Sequence, residues 1–325
     1  MAEYINIKGQ NIEVVASDPA NPTLGQIWYN STSNTLKGGG VSAFGSWASS
    51  NNMNTGRYLL GYGGTQTAAL AFTGYDSPSG IVNVTEEYDG NSWTNSNPVN
   101  TARYQLAGAG TQTAGLAAAG RTYSGTFSPS AATEEYDGNS WTNGNNVNTA
   151  RFGLRGAGTQ TAGLIAGGDG PTTPAVEEYD GTTWTTVNSM STGRGEFAVA
   201  GIQTAALAIS GGSPTALVEE YDGTNWTAGG SLNTARTSLA AAGTQTAALA
   251  FGGSAPTTTG ATELYDGTSW ANNPNSLNTA TYGLGGAGTQ TAGLAFGGND
   301  GTGTIAATEE WTGAGSPTTV TITAS

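Results

Sequence analysis

RYQLAGAGTQTAGLAAAGRTYSGTFSPSAATEEYDGNSW, residues 103–141, holds four short strand-like segments punctuated by turns. Arg103 to Gly110 reads as an innermost strand, because Gly and Ala let strands crowd around an axis. Thr111-Gln112 is expected to turn the chain, and Thr113 to Ala119 to return as a second strand. Ala132 to Asp137 reads as the third, with Glu134 and Tyr136 on one face and Glu135 on the other by the period of two. Asp137-Gly138 opens a hairpin. Trp141 then falls on an outermost strand, placed to pack between neighbouring repeats.

The pattern recurs. G-T/I-Q-T-A-A/G-L begins at Gly64, Gly110, Gly158, Gly201, Gly243 and Gly288. Y-D-G-x-x-W ends at Trp93, Trp141, Trp184, Trp226 and Trp270, with a sixth copy reduced to EEWTG around Trp311. N/S-T-A/G-R ends at Arg57, Arg103, Arg151, Arg194 and Arg236, with Thr281 in the sixth copy. The interval runs from 42 residues (Gly201 to Gly243) to 48 (Gly110 to Gly158). Four short strands fit that period, as in one propeller blade.

Four copies carry a glycine doublet after a short apolar strand: Gly167-Gly168, Gly211-Gly212, Gly252-Gly253 and Gly297-Gly298. The other two have Thr73-Gly74 and Ala119-Gly120. Doublet, Tyr, Trp and Arg in fixed order resemble the kelch family over residues 44 to 312. The resemblance implies an all-β, six-bladed kelch-like β-propeller over residues 43–312, flanked by an N-terminal β-hairpin segment (1–42) and a C-terminal strand (313–325). Phe44-Gly45-Ser46-Trp47 copies the outer-strand unit without inner strands before it. The strand of Trp47 is therefore expected to complete the sixth blade and remove an open edge. Thr318 to Ser325 alternates like a strand and is the rival for that place.

Composition excludes much. The chain has 52 glycines, no cysteine and no histidine. Disulfides, thiolate nucleophiles, Cys-ligated metals and the commonest general base and metal ligand are all gone. Net charge is −14 without a basic run, which speaks against nucleic acid and anionic lipid as partners. The start, MAEYINIKGQ, lacks the apolar core of a signal peptide, and no stretch of about 18 apolar residues occurs. Synthesis in a cytoplasm, without signal-led export and without a membrane span, is the expectation.

Residues 1 to 42 do not fit the repeat. Tyr4-Ile5-Asn6-Ile7 and Ile12-Glu13-Val14-Val15 alternate as short strands, and GQIWYNSTSNTLKGG reads as a hairpin from Ile27 to Lys37. This hairpin resembles a segment of bacteriophage tail and fibre proteins, and EEWTGAGSPTTVTITAS resembles the C-termini of kelch-like proteins of marine phages of the cyanophage type. The resemblance implies a non-enzymatic virion protein, a tail-fibre or other surface fibre component acting in host recognition. Its N-terminal segment would join other virion proteins, its ligand would be a host-surface glycan or protein, and it would be a homo-oligomer, with a trimer as the guess from fibres. The alternative is a bacterial surface adhesin or fibril subunit. A glycan-processing enzyme is third.

Catalysis finds little support in the residues. Copper-radical oxidases on kelch propellers need Cys and His. The Y-D-G-x-x-W string is one residue short of a sialidase Asp-box, and the arginines come one per repeat instead of converging. Sixteen of the 23 acids are repeat copies. No catalytic residue, metal or cofactor is assigned. Arg57, Arg103, Arg151, Arg194 and Arg236 are expected to pair with Glu86, Glu134, Glu177, Glu219 and Glu263, tying repeat to repeat. Trp47, Trp93, Trp141, Trp184, Trp226, Trp270 and Trp311 complete the structural set. Recognition is expected where copies differ, in the unequal connections after the glycine doublets. The candidates there are Tyr75, Asp76, Arg121, Tyr123, Phe127, Asp169, Asn299 and Asp300, because exposed aromatics near amides and carboxylates suit stacking against sugar rings.

Overall fold

The computed structural model describes residues 12–19, 26–41, 44–170, 172–315 and 317–322. The strand expected over Tyr4 to Ile7 lies outside them, as do residues 20–25 before the hairpin. The chain divides into two compact units, Met1–Ser46 with Thr312–Ser325, and Trp47–Trp311. Among the described residues there is no helix, and the regular elements are strands.

The repeats build six four-stranded antiparallel sheets in a propeller-like arrangement. In the second, Ala107–Thr111, Ala114–Ala118, Thr133–Tyr136 and Trp141–Gly144 lie side by side in that order. The innermost strand begins at Ala107, not at Arg103 as the sequence suggests. Gln105 takes the left-handed conformation (φ 53°) and breaks the extension before it. The turn falls on Gln112-Thr113, one residue later than expected, because Thr111 pairs with Ala114. Gly110 cannot be replaced freely there: its φ is 94°, and a Cβ would lie 2.1 Å from the Ala114 carbonyl oxygen.

The sixth sheet draws on both ends of the repeat region. Its order is Gly285–Gly288, Ala292–Phe296, Thr308–Thr312 and then Ser46–Ser50. Trp47 thus occupies the outer-strand position. The rival strand goes elsewhere: Pro317–Thr321 pairs antiparallel with Thr35–Val41. That strand in turn forms the hairpin with Ile27–Asn30, and Glu13–Val15 adds in parallel on the far side.

Six residues two positions after the repeat arginine (or Thr281) share the left-handed conformation: Leu59, Gln105, Gly153, Glu196, Ser238 and Gly283. Their amides form a closed cycle. Gln105 N–H donates to Leu59 O, Gly153 to Gln105, Glu196 to Gly153, Ser238 to Glu196, Gly283 to Ser238, and Leu59 back to Gly283, at 2.6–2.8 Å. The left-handed turn aims each amide at the preceding repeat, which is why one conformation recurs with six different neighbours.

Between sheets the core is thin and aromatic. The indole N–H groups of Trp93, Trp141, Trp184 and Trp47 donate to Thr308, Thr85, Thr133 and Thr262 of the preceding sheet, at 2.9–3.0 Å. Burying one such ring contributes on the order of 4–6 kcal/mol before chain entropy is subtracted. Trp226 and Trp270 have no acceptor for the indole N–H, because the threonine position is Val176 and Val218 in their neighbours. Gln112 of the turn latches sheets from the other end, donating to Tyr88 O at 2.7 Å, and Gln66 does the same to Trp311 O at 2.8 Å.

The five arginines each meet the matching glutamate in full burial. Arg103 bonds Glu134 at 2.9 Å and the Ala119 carbonyl at 3.0 Å, while Glu134 accepts the Asn100 and Thr101 amides at 2.7 and 3.2 Å. Arginine and glutamate both belong to the sheet that follows the crossover. The pair therefore fastens the incoming connection to its own sheet, and the links between sheets come from the amide cycle and from Trp, Tyr and Gln side chains.

Candidate functional site

The loops after the doublets lie at the end of the sheets where the amide cycle sits, held by single bridges. Tyr75 pairs with Tyr58, Arg121 with Tyr104, Asp169 with Phe152 and Asn299 with Tyr282. In the first two repeats the connection is long enough to form an extra hairpin, Tyr75–Asp76 with Gly80–Ile81 and Arg121–Tyr123 with Phe127–Pro129. Between these hairpins lies a cleft of about 460 Å³ lined by Tyr75, Ile81, Ala102, Tyr123 and Phe127, with Ser79 and Gly80.

The aromatic rings around it are continuous. Tyr282 touches Tyr58 (6.1 Å between centroids), Tyr58 touches Tyr75 (5.7 Å), Tyr75 touches Tyr104 (5.5 Å) and Tyr104 touches Phe127 (5.8 Å). Phe127 then packs on Tyr123 at 4.8 Å. Arg121 is sandwiched, its guanidinium 4.9 Å from the Phe127 ring and 4.5 Å from Phe152. Tyr123 and Phe127 are 59% and 45% exposed, large apolar surface left open to solvent. Burial raises the pKa of Tyr104, and the neighbouring Arg121 opposes that rise.

The other candidates do not join this cleft. Asp76 accepts from Thr304 Oγ1 at 3.2 Å, bracing the first hairpin against the sixth repeat. Asp169 accepts from Thr172 at 2.8 Å and lines a separate cavity of about 430 Å³ with Glu196, Gly193, Gly195 and Ser213. Asn299 and Asp300 are spent on their own turn: Asn299 Oδ1 accepts the Gly301 amide, and Asp300 accepts the Thr302 hydroxyl and the Thr302 and Gly303 amides. Those bonds hold the Asp300 carboxyl below the usual range. The Y-D-G aspartates are likewise turn residues. Asp137 accepts the Ser140 and Asn139 amides at 2.7 and 2.9 Å, which depresses its pKa. Among the described residues no three His, Cys, Asp or Glu side chains gather in a way that holds a metal ion.

Sequence reasoning overlooks Tyr58, Tyr104, Ile81 and Ala102, which line or support the cleft, and Glu196, which accepts Gln105 Nε2 and Ser238 Oγ at 2.8 Å each. One signal was available. Tyr58, Tyr104 and Glu196 stand at or next to the position two after the repeat arginine, where the copies disagree. It also overlooks the tyrosine hydroxyls, which reach the second glutamate of the preceding sheet: Tyr136 to Glu87, Tyr88 to Glu310, and Tyr221 to Glu178 at 2.8 Å. Burial first, and then that bond, pushes Tyr88, Tyr136 and Tyr265 up to about 12.

No family model matches the chain, and no curated protein does. Among the described residues, no helix is long and apolar enough to cross a membrane.

Proposed function

We propose that residues 47–311 are a closed six-bladed propeller of the kelch type, serving without catalysis as a recognition module on a phage particle. The closed amide cycle and the Ser46–Ser50 strand in the sixth sheet support the ring. The observation that carries recognition is the aromatic cleft between the first two hairpins. An open cleft walled by Tyr75, Tyr123 and Phe127 fits the apolar face of a sugar, with phenol hydroxyls and Ser79 at hand for its hydroxyl groups. The reading is thus a host-surface glycan bound by the loop face. The tail unit suits attachment: its four-stranded sheet has Glu13–Val15 and Pro317–Thr321 as outermost strands, and Val14 is 67% exposed.

A glycan array with wild type and Tyr123→Ala tests the cleft. Loss of one stacking ring should weaken binding roughly three- to tenfold. Equal signals remove Tyr123 from the site, and a silent wild type sinks the glycan reading. Electron microscopy of particles labelled against the chain tests the setting. Label on bacterial filaments with none on virions would favour a bacterial adhesin instead.

A further inference from the structure

The cleft between the first two hairpins is as distinctive in what it lacks as in its rings. Among the described residues, no Asp, Glu, Lys or Arg lines it. The three charged residues closest in sequence to its walls are engaged elsewhere. Asp76 accepts from Thr304, Arg103 pairs with Glu134, and Arg121 stacks between Phe127 and Phe152. Loops of this face can present charge, since Asp169 and Glu196 both line the separate cavity of about 430 Å³. The aromatic cleft does not. A charged group entering it would lose water and gain no counter-charge, which is costly.

One wall of the cleft sets a ring beside a branched alkyl group. Tyr75 and Ile81 are register partners across the first hairpin, and both line the cleft. Such partners carry their Cβ atoms about 5 Å apart on one face of the ladder. Ala102 extends the hydrocarbon lining from the connection between the two repeats. The side-chain hydroxyls in the lining are those of Tyr75, Tyr123 and Ser79. A sugar that stacks its C–H face on an aromatic ring sends its exocyclic carbon past the ring edge. Seated on Tyr75, it can therefore set that carbon against Ile81. A hydroxymethyl group there would bury a hydroxyl without a partner, whereas a methyl group gains from the burial.

We propose that the cleft selects neutral deoxyhexoses, sugars that carry a methyl group where ordinary hexoses carry hydroxymethyl, with that methyl held against Ile81 and Ala102. The inference rests on the glycan reading above and narrows it to one class of sugar. The ring hydroxyls of the sugar meet the phenols and Ser79, and a charged sugar finds no counter-charge.

Saturation-transfer NMR titrations of the full chain test this with three free sugars that differ only at the terminal carbon: methyl, hydroxymethyl or carboxylate. The galacto and manno configurations are both run, against wild type, Tyr123→Ala and Ile81→Thr. In at least one configuration the methyl sugar should bind wild type about tenfold tighter than the hydroxymethyl sugar, and the carboxylate sugar should bind weakest. The methyl protons should be among the most strongly saturated. Tyr123→Ala should weaken the methyl sugar. Ile81→Thr keeps a branched strand residue but adds a hydroxyl, and should cut the methyl preference by about threefold. Equal affinity for methyl and hydroxymethyl sugars, tightest binding of the carboxylate, or a methyl preference unchanged in Ile81→Thr overturns the proposal. If Tyr123→Ala still weakens binding in those cases, the glycan reading survives it. Binding that Tyr123→Ala leaves intact, or no saturable binding by any sugar, overturns both.

Discussion

In the first five repeats a tyrosine hydroxyl on the third strand reaches a glutamate of the preceding sheet. In the sixth, both halves of that contact differ together. Trp311 stands where Tyr88, Tyr136, Tyr179, Tyr221 and Tyr265 stand elsewhere, and the residue in the facing register of the fifth sheet is Leu264 instead of Glu. Trp311, Leu264 and Phe251 join one apolar cluster with Trp47, whose ring lies 5.2 Å from Trp311 and 4.8 Å from Phe251. The sixth repeat also lacks the arginine. Glu309 there takes the Asn278 and Thr279 amides and the Asn278 side chain, with Thr281 turned to the Thr279 carbonyl. The joint assembled from both ends of the repeat region thus replaces polar partners with apolar ones. The contact of Trp47 with Trp311 joins residues from opposite ends of the repeat region and rests on burial, which needs no precise alignment of donor and acceptor.

The largest break in this comparison comes from Arg151→Ala. Glu177 would be left buried and uncompensated, costing about 3–5 kcal/mol in denaturant unfolding. Thr281→Ala at the matching position should cost only about 1 kcal/mol, one neutral hydrogen bond. Equal losses would show that the arginine pair is no more than a local hydrogen bond.

A second break exchanges the chemistry of the joint. Leu264→Glu brings a carboxylate against Trp311 with no hydroxyl to meet it, and should destabilise by about 1–3 kcal/mol. Adding Trp311→Tyr to Leu264→Glu recreates the pair of the other five repeats. A double-mutant cycle should give a favourable coupling of about 0.5–3 kcal/mol, and additive losses would deny that the two positions act as partners.

The smallest effect is a gain. Val176→Thr gives the indole N–H of Trp226 the acceptor that Trp184 finds in Thr133, and should stabilise by about 1 kcal/mol. No gain, with Trp226→Phe equally neutral in the Val176 background, would mean that the indole N–H is already satisfied by water.

Much of this framework is legible in the sequence because repetition amplifies weak local signals. One Asp-Gly is a turn; five, each followed three residues later by Trp, fix a strand order. The place of Trp47 in the sixth sheet is readable for the same reason, as an outer strand with no inner strands before it. What stays hidden is chemistry that crosses from one repeat to the next. Glu87 and Tyr136 are 49 residues apart, and nothing in either copy alone marks them as partners. Pattern reading also spreads the recognition set over four repeats, whereas only Tyr75, Tyr123 and Phe127 line the cleft, with Arg121 behind Phe127. Asn299 and Asp300 look free in sequence because a turn consumes its own side chains, which composition does not reveal. The innermost strand is misplaced by four residues, since a left-handed Gln105 leaves no compositional mark.

Residue-resolved amide hydrogen exchange on the full chain is the most direct test of the ring. The amides of Leu59, Gln105, Gly153, Glu196, Ser238 and Gly283 should exchange slowly and at comparable rates, opening only with global unfolding. The informative amide is that of Leu59, whose bond to the Gly283 carbonyl joins the first repeat to the last. If the Leu59 amide exchanges as fast as exposed loop amides while the other five stay protected, the sheets form an open arc and the closed propeller is wrong.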